Sequence, residues 1–154
     1  MSEGEKQRRR EWFRHHWQNG VAFNAASGMT VERWDADGVE MRLPYRDDLS
    51  AHAGIFHGGV LSALIDTAGT GAVMAGHDFD KGSRLSTISM SVQYLGVDPG
   101  ADVVAYAHCT RRGRAVHFAE VTVRSTNGKD LAQGLVSCSI IGDRPGLSDG
   151  SLDQ

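Results

Sequence analysis

His57-Gly58-Gly59 stands at the head of the longest apolar run in the chain, and a single carboxylate, Asp66, lies inside that run. These residues could do chemistry together. Glycines at a helix start let a ligand approach the backbone, and the first-turn N–H groups have no intrahelical partners. The helix dipole turns its positive end toward the same spot. Such an end can stabilise an oxyanion, and His57 beside it can set the loop or polarise a carbonyl. An acid in the middle of an apolar helix is expensive to bury unless it is paired or used. Asp66 therefore reads either as a general base or nucleophile, or as a buried, hydrogen-bonded structural residue.

The run from His57 to Ala75 must be a helix for this to hold. Leu61, Leu64, Ile65, Ala68 and Ala72 recur at helical spacing, and Ser62, Asp66 and Thr70 form a second, polar stripe. Thr70 can hold Asp66 or a water, or its hydroxyl can bond back to a helix carbonyl. If Gly58 and Asp66 share one helix, eight residues separate them by about 12 Å. One carbonyl cannot meet both in one chain, since reacting groups must lie within about 3 Å. A second subunit with an antiparallel helix solves this, and a two-fold axis makes two such sites.

Arg111, Arg112 and Arg114 cluster around Gly113. They read as a solvated hairpin turn, or as a grip on phosphates, which guanidinium geometry suits. Lys81 and Arg84 could add to it. No Walker loop, dinucleotide fingerprint or metal-ligand cluster is present, so neither a cofactor nor a metal is expected.

The elements that must position these residues follow from periodicity. Residues 3–19 read as a helix with Trp12, Phe13, His16 and Trp17 on one face, and Phe23 and Asn24 follow in a loop. Gly28–Trp34 and Val39–Tyr45 read as strands about an Asp35-Ala36-Asp37-Gly38 turn. In the first, Met29, Val31 and Arg33 alternate with Thr30, Glu32 and Trp34. After the central helix come strands at Arg84–Val97, Val103–Thr110, Val116–Ser125 and Leu131–Ile141. In the first of these, Ile88, Met90, Val92 and Tyr94 point one way and Thr87, Ser89, Ser91 and Gln93 the other. Asp98-Pro99-Gly100 and Asn127-Gly128 are turns. This order implies an α+β fold with an antiparallel sheet on one long helix. Its parts would be an N-terminal helix over residues 1–20, a domain over 21–142 and a disordered tail over 143–154.

Over residues 51–95 the chain resembles the PaaI-like branch of the hotdog-fold thioesterases. The resemblance rests on Gly54-Ile55-Phe56-His57-Gly58-Gly59, on Asp66 eight residues after the first glycine, and on Thr87-Ile88-Ser89-Met90-Ser91-Val92-Gln93-Tyr94-Leu95. It implies an antiparallel sheet wrapped around the central helix. It also implies sites at a dimer interface and a homodimer assembling to a homotetramer. Thr87 matches a Ser/Thr position that places the nucleophilic water, and the loop at Phe23 lies near the acyl group. Many members carry Asn or Gln where this chain has Ala51, with His52 next to it as a stand-in.

The expected function is hydrolysis of acyl-CoA thioesters to free acid and CoA, with Asp66 as base or nucleophile and Gly58/Gly59 as oxyanion site. The alternatives are a non-catalytic acyl-CoA binding or sensing protein and a hotdog hydratase or dehydratase. A net charge of −3 gives no case for nucleic acid or membrane partners, and no stretch reaches the length of a transmembrane helix. The N-terminus is charged rather than signal-like, and Cys109 and Cys138 read as reduced core thiols, so a cytoplasmic protein is expected.

Overall fold

The computed structural model describes residues 1–36 and 38–145. Helix α3 (Gly58–Ala75) is the centre of the fold. Its apolar stripe (Leu61, Leu64, Ile65, Ala68, Ala72) is buried almost completely against a six-stranded sheet. The sheet is antiparallel, with order β1-β2-β6-β7-β8-β5. Its strands are β1 (Thr30–Asp35), β2 (Gly38–Leu43), β5 (Leu85–Tyr94), β6 (Val103–Arg112), β7 (Val116–Ser125) and β8 (Asp130–Ile140). A two-stranded ribbon of β3 (Ser50–His52) and β4 (Ile55–Phe56) feeds α3. This is the expected α+β hotdog arrangement.

Helix and sheet lie close because a glycine on each faces a branched side chain on the other. A Cβ on Gly69 would come within 2.9 Å of Val136, and one on Gly134 within 2.5 Å of Ile65. Glycine inside a helix costs about 1 kcal/mol relative to Ala, and the close approach is what it permits. By length and composition α3 could also cross a membrane (18 residues, mean hydropathy 1.2), which corrects the sequence expectation that no stretch is long enough. Most of it is buried inside the protein, as befits a core helix.

At the N-terminus, Ser2 and Glu5 form a capping box for α1 (Glu3–His15), which runs on into a π-helical turn, His16–Gly20. Phe13 stacks on Phe79, and Trp17 packs at an edge against Phe13. Phe23 and Asn24, expected in a loop, lie in a short helix, α2 (Ala22–Ser27). Tertiary contacts hold it. Buried Asn24 donates to the Trp17 carbonyl at 2.7 Å, while Trp17 Nε1 donates to the Thr67 carbonyl of α3 at 2.9 Å. Gly28, at φ +84°, ends it.

Two bulges change which side chains face the helix. In β1 the register shifts between Val31 and Arg33, so Val31 and Trp34 are both buried, although strict alternation puts them on opposite faces. In β5 it shifts between Thr87 and Ser89. Thr87 thereby joins Tyr94 on the α3 side, contrary to the alternation read from sequence. Asp37 lies outside the described residues, as does the expected tail from residue 146 onward. Just before that, the Gly142 carbonyl accepts from the Ser83 and Arg84 N–H groups, and Arg144 lies over the Trp12 ring.

Candidate active site

His57 caps α3. Its Nδ1 accepts from the Gly59 N–H at 2.8 Å, and its carbonyl accepts from Val60 (2.9 Å) and Leu61 (3.3 Å). A neutral ring that accepts at Nδ1 carries its proton on Nε2, so an Nε2–H donor remains at the helix mouth. The Gly59 N–H is thus occupied. Among the described residues no acceptor sits on the Gly58 N–H, which leaves it as the open first-turn donor.

Tyr94, at the end of β5, reaches the same turn. Its hydroxyl donates to the Gly58 carbonyl at 2.7 Å and lies 2.5 Å from Ser62 Oγ. Tyr94, Gly58, Leu61, Ile55, Phe56 and Leu131 line a small cavity of about 100 Å³.

Two turns along α3, half-buried Asp66 accepts a 2.8 Å hydrogen bond on Oδ1 from Thr87 Oγ1. The bulge in β5 is what turns Thr87 toward it. Thr70 is not brought to the carboxylate. Its hydroxyl donates to the main-chain carbonyls of Asp66 (2.7 Å) and Thr67 (3.3 Å). Asp66 and Gly58 occupy one continuous helix, so the separation of about 12 Å stands.

The remaining candidates divide. His52, in β3, and Phe23, in α2, are exposed. Arg112 lies at the other end of α3 from Gly58, and its guanidinium donates to the Val73 (2.7 Å) and Ala72 (3.4 Å) carbonyls. It closes the helix C-terminus, where a cation also complements the dipole, a contact that neither the solvated-turn nor the phosphate-grip reading of the cluster included. Arg111 and Arg114 are exposed beside it. Cys138 is fully buried and its thiol is pushed up to about 12, first by burial and then by Cys109 and Asp66 nearby. It stays protonated, and neither cysteine is in a disulfide.

The sequence pattern of the thioesterase superfamily matches residues 53–132, just over half of the chain. The chain belongs to the thioesterase superfamily. Among curated superfamily-like relatives, a Halobacterium salinarum protein named as an esterase is 35% identical over 99 residues, covering 62% of this chain and 65% of that one. Mouse acyl-coenzyme A thioesterase 13 is 31% identical over 83 residues, covering 53% and 57% respectively. The chain thus spans about three fifths of the length of these relatives. A Shewanella oneidensis structure related to the superfamily superposes with a TM-score of 0.79 at 22% identity, over 91% of this chain and 99% of that one. That likeness shows the shared fold.

Tyr94, Ser62 and Asn24 carry contacts at or behind this site that spacing did not assign to them. Ser62 was visible on the polar stripe of Asp66. Tyr94 could have been picked out only by placing the end of β5 over the start of α3, which is a tertiary fact.

Proposed function

We propose that the protein hydrolyses acyl-CoA thioesters to the free acid and CoA. The observation that carries this is that Asp66, paired with Thr87 of β5, stands on the same helix that opens with the free Gly58 N–H. The thioester oxygen accepts from Gly58, and the His57 Nε2–H is a second donor there. Preorganised donors of this kind favour the developing oxyanion. Asp66 takes a proton from water as the water attacks the carbonyl carbon, or attacks that carbon itself to give an anhydride that water then opens. As the tetrahedral centre collapses, the C–S bond breaks and the CoA sulfur leaves as a thiolate, which takes the proton held by Asp66 in the first route or one from water in the second.

Because the two halves of the machinery lie about 12 Å apart along one helix, the functional unit is a two-fold dimer. Strand β5 supports this. It is a ten-residue edge strand with Ile88 55% and Met90 40% exposed. Long apolar edges invite pairing with another chain. A copy paired antiparallel along β5 would bring Asp66 and Thr87 of one protomer toward the glycine end of its partner's helix. Pairs of such dimers would make the tetramer that the PaaI-like resemblance implies, in the cytoplasm.

Thiol release from a panel of acyl-CoA thioesters tests the reading. The protein should turn over at least one chain-length class, and folded Asp66→Asn should lose at least about 10²-fold. A folded Asp66→Asn protein with near-normal thiol release would remove Asp66 from the mechanism.

A further inference from the structure

We propose that Tyr94 is a positioning residue for the oxyanion donor, acting through a short relay with Ser62 on the Gly58 carbonyl; this rests on the thioesterase reading above. Tyrosine has one hydroxyl proton. That proton goes to the Gly58 carbonyl (2.7 Å), so the contact with Ser62 is a donation from Ser62 Oγ to Tyr94 Oη. The relay runs Ser62 to Tyr94 to Gly58.

The relay matters because Gly58 and Gly59 have no side chains to hold their torsions. The Gly58 N–H lies in the peptide plane between His57 and Gly58, and the plane between Gly58 and Gly59 constrains it through the Gly58 φ and ψ torsions that join the two. The plane between His57 and Gly58 is held through its carbonyl by Val60 and Leu61. The plane between Gly58 and Gly59 is held through its N–H by His57 Nδ1 and through its carbonyl by Tyr94. Tyr94 supplies the clamp from outside the helix and its cap. Its ring also lies against Gly58, where a Cβ would come within 3.3 Å, and forms a wall of the small cavity beside it. The side chain is 55% exposed, so burial does not account for its placement.

An oxyanion donor contributes only when aimed at the charge that develops, so loosening it weakens the transition state more than the bound substrate. Tyr94→Phe keeps the ring and removes the clamp. It should lower kcat about tenfold with KM within about twofold, at an unchanged thermal midpoint to within a few degrees. Ser62→Ala should act in the same direction more weakly, and the double variant should lose little more than Tyr94→Phe, since both act through one relay. Tyr94→Phe with kcat within twofold of the unaltered protein would overturn the proposal, as would full additivity in the double variant. Should Tyr94→Phe fail to fold, Ser62→Ala carries the test alone, and an unchanged kcat there overturns it. These outcomes differ from failure of the thioesterase reading, in which the unaltered protein releases no thiol from any member of the panel.

Discussion

Arg112 and its neighbours show how residues of one type in one cluster divide their work. Arg111, Arg112 and Arg114 are all exposed, but among the described residues only Arg112 uses its side chain, making two charge-assisted hydrogen bonds to the last carbonyls of α3. Arg112→Ala should therefore lower stability by about 1–2 kcal/mol in urea unfolding. Arg111→Ala and Arg114→Ala should change it by less than about 0.5 kcal/mol. If these two contact the phosphates of CoA, their removal raises KM for CoA thioesters more than for pantetheine thioesters, which lack the nucleotide phosphates. Equal stability losses at all three positions would contradict the division. The cluster was plain in the sequence and its division was not, because which arginine meets a helix end depends on where β6 stops relative to α3.

At the scale of elements, the turn after α3 holds a titrating feature apart from the candidate site. His77 and His117 are each 3% exposed, with ring centroids 5.5 Å apart, and His77 Nε2 and both His117 ring nitrogens have no partner among the described residues. Burial pushes His77 down to about 4, with His117 and then Arg112 adding to the shift; a hydrogen bond with the Gly82 backbone and then Asp78 act the other way. Burial, then Arg112 and Lys81, also lowers His117. An unfolded His titrates near 6.5, so between about pH 6.5 and pH 4 the unfolded chain binds more protons and stability falls as pH falls. His77 alone should remove about 2 kcal/mol between pH 7.5 and pH 5. Urea unfolding at the two pH values measures this, and His77→Leu should flatten the slope; an unchanged slope would contradict the assignment.

The same scale shows what periodicity can and cannot give. The α3 helix, both strands of its leading hairpin and the strands after it follow from apolar spacing and turn residues. The bulges do not. One inserted residue in β1 puts Trp34 on the core with Val31, and one in β5 puts Thr87 on the helix side with Tyr94. Both depend on pairing partners far away in the chain. Helix α2 was hidden for a related reason, since Asn24 and Ser27 are polar and are buried through bonds to Trp17 and to their own turn. Asp66 and Gly58 were legible because a lone acid and a glycine pair stand out in an apolar run. The clamp from Tyr94 was not.

At the scale of the whole molecule, the account turns on one claim, that the site is assembled from two chains. The separation of Gly58 and Asp66 along α3 and the open apolar edge of β5 both point to it. Mixing two inactive variants tests it most directly. One carries Asp66→Asn. The other carries Gly58→Val, whose side chain would press on the Tyr94 ring. In a heterodimer both defects fall in one site, and the other site pairs an intact glycine end with an intact Asp66. Refolded together, the two dead proteins should recover thiol release up to about half the normal rate per heterodimer, if the sites act independently. Verified heterodimers that stay inactive, formed from variants that each still dimerise, would contradict the shared site, and so would full activity in a protein that is monomeric at the assay concentration.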